Sequence, residues 1–227
     1  DYLKYNGRNF TILASRIINH KQINKMKKIT LIAFLLVSSL GIAQDMKVIK
    51  GDYKFLNGAK ELNVEFNYSD LKLMKDNLTN EEYVSKRASE LNEKTKGNGD
   101  VWKKKWATSR EAIWGPKFLE LMNKVYGSEK DVTIQEDLKS AKYTLIVDVV
   151  WIYPGWDAAI IKQKAKVSLN YRFVETANKS NVLLEIKSEE APGDQWGNNF
   201  SNESRIGEGF AKSGKSLGKE IVKKAYR

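Results

Sequence analysis

Residues 143–173 read YTLIVDVVWIYPGWDAAIIKQKAKVSLNYRF. The first part, Tyr143 to Tyr153, is dense in Leu, Ile, Val and aromatic side chains, the composition of a strand. Pro154-Gly155 then turns the chain. From Ile161 to Phe173 the pattern alternates with a period of two. Ile161, Ala165, Val167, Leu169, Tyr171 and Phe173 fall on one face; Lys162, Lys164, Lys166, Ser168, Asn170 and Arg172 fall on the other. One buried and one wet face is the pattern of an antiparallel strand. Asn178 to Asn181 turns again, Val182 to Ile186 makes the next strand, and the three form an antiparallel meander. Trp151 and Tyr153 share the parity of Leu145, Val147 and Val149, which assigns Trp151 to the core.

Working outward, Met46 to Lys50 and Glu61 to Tyr68 read as strands; in the second, Leu62, Val64, Phe66 and Tyr68 alternate with Asn63, Glu65 and Asn67. Thr79 caps a charged helix that runs to about Thr95, and Glu82, three residues on, completes a capping box. A second helical stretch spans Asp100 to Tyr126, with Gly115-Pro116 expected to kink or split it and Gly127 expected to cap it. Ser188 to Asn202 reads as a polar loop. A last helix, from Asn202 to Ala225, buries Ile206, Phe210, Leu217 and Ile221, and its glycines at 207, 209, 214 and 218 suit close approach to a sheet. The expected fold is a single α+β domain, an antiparallel or mixed sheet with helices packed on one face.

Met26 is followed by Lys27 and Lys28, an apolar run, and small residues Gly41 and Ala43 before Gln44. Those are the three parts of a secretory signal peptide. The run is shorter than the roughly 20 residues of a membrane span. Residues 1–25 are then an upstream segment outside the native protein, 26–43 the signal, and 44–227 the exported domain. After cleavage near Ala43-Gln44 the product is expected to be soluble in the periplasm or outside the cell, with no transmembrane segment. Seven of the 39 basic and one of the 28 acidic residues precede residue 44, which leaves the exported domain at +5 rather than +11. That balance suits solubility and gives no reason to expect nucleic acid as a partner. His20 is the only histidine and lies before the signal, and cysteine is absent. The exported domain therefore has no His base, no thiol nucleophile, no Cys/His metal site and no disulfide. Any catalysis must use Asp, Glu, Lys, Tyr, Ser, Thr or Arg.

Gly209 to Ser216, GFAKSGKS, fits the phosphate-loop pattern letter for letter. The polar stretch before it and the eleven residues after it supply neither the preceding strand nor a later metal-holding Asp, so it reads as a Gly- and Lys-rich helix face. Trp102-Lys103-Lys104-Lys105-Trp106 reads as an inward Trp pair at i, i+4 beside a solvated lysine edge. Asp148, interrupting an apolar strand, and Glu185 are the carboxylates a hydrolase would need; the simpler reading places Asp148 beside a lysine of the next strand on the wet face. The aromatic turn Trp151-Ile152-Tyr153-Pro154-Gly155-Trp156-Asp157, with Trp196 beside Asp194, is the candidate ligand site. Flat rings beside a carboxylate suit a sugar, and Trp156, just past the turn, is the ring expected to be exposed. Tyr153, Trp156, Asp157 and Trp196 are thus the binding candidates. No catalytic residue, cofactor site or metal ligand is assigned.

Tyr143 to Val150, the hairpin through Phe173, the strand at Val182 and the closing small-residue helix together resemble small exported proteins of Bacteroidota. More distantly, this meander and helix are similar to the amino-terminal domain type of TolB. The resemblance covers Tyr143 to Arg227 and implies an envelope-associated α/β module; it transfers no catalytic residue. The expected function is a non-catalytic, exported binding or envelope-associated module whose partner is an envelope protein or a glycan. The alternative is a carboxylate-based hydrolase acting on a glycan.

Overall fold

The computed structural model describes residues 45–158, 161–193 and 201–227, with backbone alone at 157–158 and 161–162. The leader, Asp194 and Trp196 lie outside the described residues, as does the side chain of Asp157. Chain order is β1 (Asp45–Gly51), β2 (Glu61–Asn67), β3 (Lys72–Leu73), α1 (Asn80–Lys94), α2 (Asn98–Ser109), α3 (Gly115–Met122), α4 (Ser128–Lys130), β4 (Thr133–Glu136), β5 (Tyr143–Tyr153), β6 (Trp156–Ala158), β7 (Ile161–Gln163), β8 (Ala165–Glu175), β9 (Asn178–Gly193) and α5 (Asn202–Ala225). Among the described residues, no helix is long and apolar enough to cross a membrane.

The architecture is α+β, on a mixed sheet ordered β1-β9-β8-β5-β2-β4, with β3 also paired to β5. The meander β5-β8-β9 is antiparallel, β1 extends it, and β2, β3 and β4 add parallel to their neighbours. Parallel neighbours need a crossover, and α1 to α4 supply it between β2 and β4. The four-residue β4 and the two-residue β3 are too short to show a period of two, and neither is read from sequence. β9 runs to Gly193, so the start of the expected polar loop is strand.

One face of the sheet is the core. Leu145, Val147, Val149, Val167, Leu169, Tyr171, Phe173, Leu184 and Ile186 meet Ile206, Phe210, Leu217 and Ile221 of α5, all of them essentially buried. An aromatic column joins the layers. The ring of Phe66 lies edge-on to Phe118 at 5.6 Å, and Trp114 stacks on Phe210 at 5.7 Å and 15°. Burying one such side chain is worth about 1.5–3 kcal/mol.

The long helical stretch departs from expectation. Gly115-Pro116 neither splits nor ends it. A five-residue π turn at Arg110–Trp114 precedes the proline, which sits at the first turn of α3. A wider turn absorbs the missing N–H and the ring where a regular helix would break. Gly127 is likewise not the cap: a second π turn, Asn123–Gly127, leads into α4, and Asp131 (φ +55°) ends the helix in the left-handed region.

The glycines of α5 also serve a different neighbour. A Cβ on Gly209 would fall 2.7 Å from Val167 of the sheet, as expected. On Gly207 it would meet Ile113, on Gly214 the Phe118 carbonyl oxygen at 2.2 Å, and on Gly218 Val125. Three of the four glycines therefore admit the 110–127 helical segment. The phosphate-loop match lies wholly inside α5, with Gly209, Phe210, Ala211, Ser213 and Gly214 buried, so no loop is present to cradle a phosphate. Replacing Gly214 by Ala gains about 1 kcal/mol of helix propensity but places a methyl group against a backbone oxygen. A net loss of about 2 kcal/mol in urea unfolding is expected, against a change within about 0.5 kcal/mol for Lys215→Ala on the exposed face.

Candidate functional site

The parity that assigns Trp151 to the core breaks one residue earlier. Val149 pairs with Leu169, but Trp151 pairs with Ser168, so Val150 is an extra residue in β5. A β-bulge reverses which face the following side chains take. Ile152 turns to the core and pairs with Val167, whereas Trp151 and Tyr153 pair with the polar residues Ser168 and Lys166. Neither belongs to the main core cluster, but Tyr153 is still buried, at 8% exposure, while Trp151 is half-buried. Their rings stack on each other at 6.2 Å and 15°, and the Trp151 indole donates to the Met74 carbonyl at 2.8 Å.

Tyr153 leads into the turn. Gly155 has φ +67°, and a Cβ there would fall 2.3 Å from the Gln163 carbonyl oxygen, so this turn requires glycine. The β6–β7 hairpin returns Gln163 to the turn, where its carboxamide oxygen accepts from both the Tyr153 hydroxyl and the Trp156 indole, each at 2.8 Å. Trp156 is 42% exposed and held by that bond. The position of Asp157 is backbone only, so no side-chain role is assigned to it.

Three further elements close a cleft of about 330 Å³ around this turn. Its walls include Met74 and Leu78 from the turn before α1, Tyr83, Lys86, Arg87 and Glu90 from α1, Tyr153 to Trp156, and Asn202 and Arg205 from α5. The α1 contributors recur at i, i+3, i+4 and i+7, one helix face. Thr79 fixes where that face begins. Its hydroxyl accepts from the Glu82 N–H at 3.2 Å, and the Glu82 carboxylate accepts from the Thr79 N–H at 2.7 Å, the expected capping box. Asn92 and Gly99 dock α1 on α2: the Gly99 N–H donates to Asn92 at 2.8 Å, and a Cβ on Gly99 would lie 2.2 Å from the Ala88 carbonyl oxygen.

The start of α5 is built as tightly. Ser201 accepts from the Ser204 N–H and donates to Glu203 at 2.5 Å. Glu203 also accepts from the Trp102 indole at 2.8 Å, and its carbonyl accepts from the Trp114 indole at 3.0 Å. Trp102 and Trp106 thus pack inward, as expected, with rings 5.4 Å apart. Gly193 lets β9 pass against this turn, since a Cβ there would lie 2.0 Å from the Arg205 carbonyl oxygen. Arg205 is left 7% exposed, and its guanidinium donates to Asn202.

No family model matches this chain, and no curated protein does. Among solved structures it is similar to the PelC dodecamer from Paraburkholderia phytofirmans at 7% identity and a TM-score of 0.37, over 76% of this chain and 97% of that one. A point variant of that dodecamer in a second crystal form gives 10% identity and a TM-score of 0.35, over 76% of this chain and 96% of that one. Likeness at this level assigns neither function nor site.

The carboxylate pair weighed from sequence is on the open face of the sheet, away from the Trp156 cleft. Asp148 accepts a two-pronged contact from Arg172, at 2.6 and 2.9 Å, and a further bond from Asn67 at 2.7 Å. The cross-strand partner is therefore an arginine rather than a lysine. Arg172 is raised above its usual range, first by its hydrogen bond with Asp148 and further by the charges of Asp148 and Glu185. Asp148 alone is bonded to the guanidinium, and Glu185, the cross-strand neighbour of Arg172 on β9, adds its charge nearby. The cleft has acids of its own: Glu90 is bonded to Arg87 at 3.0 Å, and Asp76 is exposed.

Among the cleft residues that sequence reasoning passed over, Tyr83 is the most buried aromatic, at 6% exposure. Burial pushes its hydroxyl up to about 12, against the lowering effects of Arg87 and the Asn202 side chain. The folded chain then holds this proton where the unfolded chain has lost it. The contribution to stability is complete below pH 10 and is lost between about pH 10 and 12. Unfolding measured from pH 9 to 11.5 is expected to show a decline in stability that Tyr83→Phe makes shallower; an unchanged slope would contradict it.

Proposed function

We propose that the chain is a non-catalytic, exported binding module that seats a sugar ring in the cleft at the β5–β6 turn. The observation that carries this reading is Trp156, an exposed flat ring at the mouth of a cleft, fixed by the Gln163 carboxamide that also holds Tyr153. A ring held in place loses little conformational freedom on binding. Around it are groups that hydrogen-bond hydroxyls: Asn202, Tyr83, Glu90 and the guanidinium groups. An apolar platform with a few convergent polar groups is the arrangement of a small-ligand site.

Binding is favoured over hydrolysis by the state of the acids. Glycoside hydrolysis needs one carboxyl to donate a proton and a second to act on the other side of the bond. Glu90 is engaged by Arg87 and Asp148 by Arg172. The exported, envelope-associated placement rests on the leader sequence and on the resemblance of residues 143–227 to small exported proteins.

Calorimetric titration of residues 44–227 with a panel of neutral and acidic oligosaccharides tests the reading. At least one should bind, and Trp156→Ala should weaken it by roughly tenfold, or about 1.4 kcal/mol. Binding that survives Trp156→Ala unchanged would overturn the proposed seat.

A further inference from the structure

We infer that the ligand is a chain of sugars rather than a single ring, with a second seat on the open face of the sheet beside Trp151. The inference rests on the sugar-binding reading of the Trp156 cleft and adds the length of what is bound. On the open face, a groove of about 510 Å³ lies over β8. Its floor is Ser168 and Asn170; one wall is Val150 and Trp151 from β5, and the other is Lys187 and Glu189 from β9. The groove lies where β5 and β9 each carry an extra residue opposite the same stretch of β8. A bulge bends the strand that holds it and interrupts its ladder, and here two of them flank a floor of short polar side chains.

The groups around that floor suit a sugar. Trp151 is half-buried, and the bond from its indole to the Met74 carbonyl at 2.8 Å fixes the ring before any ligand arrives. The side chains of Asn170, Lys187 and Glu189 make no hydrogen bond or ion pair among the described residues. A carboxamide offers both donors and an acceptor, which is what a hydroxyl needs. Lys187 and Glu189 are opposite in sign, and Glu190 beside them is paired with Lys166 at 2.5 Å, so the lining favours a neutral polar ligand over an ion.

Cleft and groove share a wall. The Trp151 and Tyr153 rings stack at 6.2 Å and 15°, with Tyr153 bordering the cleft and Trp151 the groove. Met74, whose carbonyl holds Trp151, also borders the cleft. Tyr153 is tied in turn to Trp156 through the Gln163 carboxamide. Three aromatic rings therefore run in a fixed series from one concavity to the other. A single sugar fills one seat, whereas a chain that crosses the rim of the stacked pair fills both. Two linked seats bind more tightly than either alone, because the second contact forms within one complex.

The test is titration of residues 44–227 with β-1,4-linked gluco- and manno-oligosaccharides of two to six units. Affinity should rise with length, by roughly tenfold or more between two and six units, with one chain bound per protein. Trp151→Ala should remove that gain while leaving the shortest binding chain unaffected. Because Trp151 also satisfies the Met74 carbonyl, the double variant Asn170→Ala/Lys187→Ala serves as the second arm; it should cut the gain severalfold while melting near the parent temperature. Affinity that does not change with length overturns the second seat and leaves the Trp156 seat standing. A length gain that survives both sets of variants overturns its placement at Trp151. Two chains bound per protein overturn the continuous track. Binding of no length in either series overturns both readings.

Discussion

Everything that distinguishes this molecule from a plain meander depends on the register break around Ser168. β8 runs through without interruption, but both of its neighbours carry an extra residue there. In β5 it is Val150. In β9 the shift falls between Ser188 and Ala191, where Glu190 takes φ +49° and its N–H donates to the Ser168 hydroxyl at 3.1 Å. Bulges on the two flanking strands change the face each presents beyond that point. They keep Ile152, Val167 and Ala191 in a single buried row, over which Gly209 brings α5 close. They also turn Trp151 and Tyr153 to the face opposite Ile152, Trp151 half-buried and Tyr153 still buried, so that β5 ends in an aromatic pair leading into the Pro154-Gly155 turn.

The cleft is a consequence of how the remaining elements meet that turn. The glycines at 207, 214 and 218 let α5 lie against the helical segment that contains the two π turns, and the stack of Trp114 on Phe210 sits in that contact. The same packing brings the first turn of α5, with Asn202 and Arg205, beside the end of β5. The capping box at Thr79 and the docking of α1 on α2 at Gly99 place the Tyr83, Lys86, Arg87 and Glu90 face opposite. The cleft thus lies where three separately anchored pieces converge, and none of them is a long loop. Preorganisation of this kind limits the entropy lost when a ligand arrives.

What the sequence makes legible is whatever repeats with a fixed period. The capping box at Thr79 and Glu82 and the apolar stripe of α5 lead to elements that the structure contains, whereas the alternation in Ile161 to Phe173, read as one strand, is divided at Lys164 between β7, in a two-stranded sheet with β6, and β8 of the main sheet. Reasoning from period fails where the period itself is interrupted. An extra residue at Val150 leaves no mark in composition, because Val suits either face of a strand, so the parity of Trp151 and Tyr153 is carried one residue too far. The π turn before Pro116 is hidden for a similar reason: proline signals a break, and a wider helical turn is another way to accommodate it. The candidate site is half visible. Trp156 and Tyr153 stand out as aromatics at a turn, whereas Arg87 and Arg205 are ordinary basic residues on helices 118 positions apart, and only the tertiary fold brings them to one cavity.

On the proposed function, ligand is received at the aromatic turn after the Val150 bulge and not at the buried aromatic column. The indole N–H resonances of the tryptophans, followed by NMR during titration with an oligosaccharide, test this without any substitution. The Trp156 resonance should move progressively and saturate, while those of Trp106 and Trp114, bonded inside the core to Asn80 and to the Glu203 carbonyl, stay in place. Saturable binding that leaves the Trp156 indole unmoved would contradict the account.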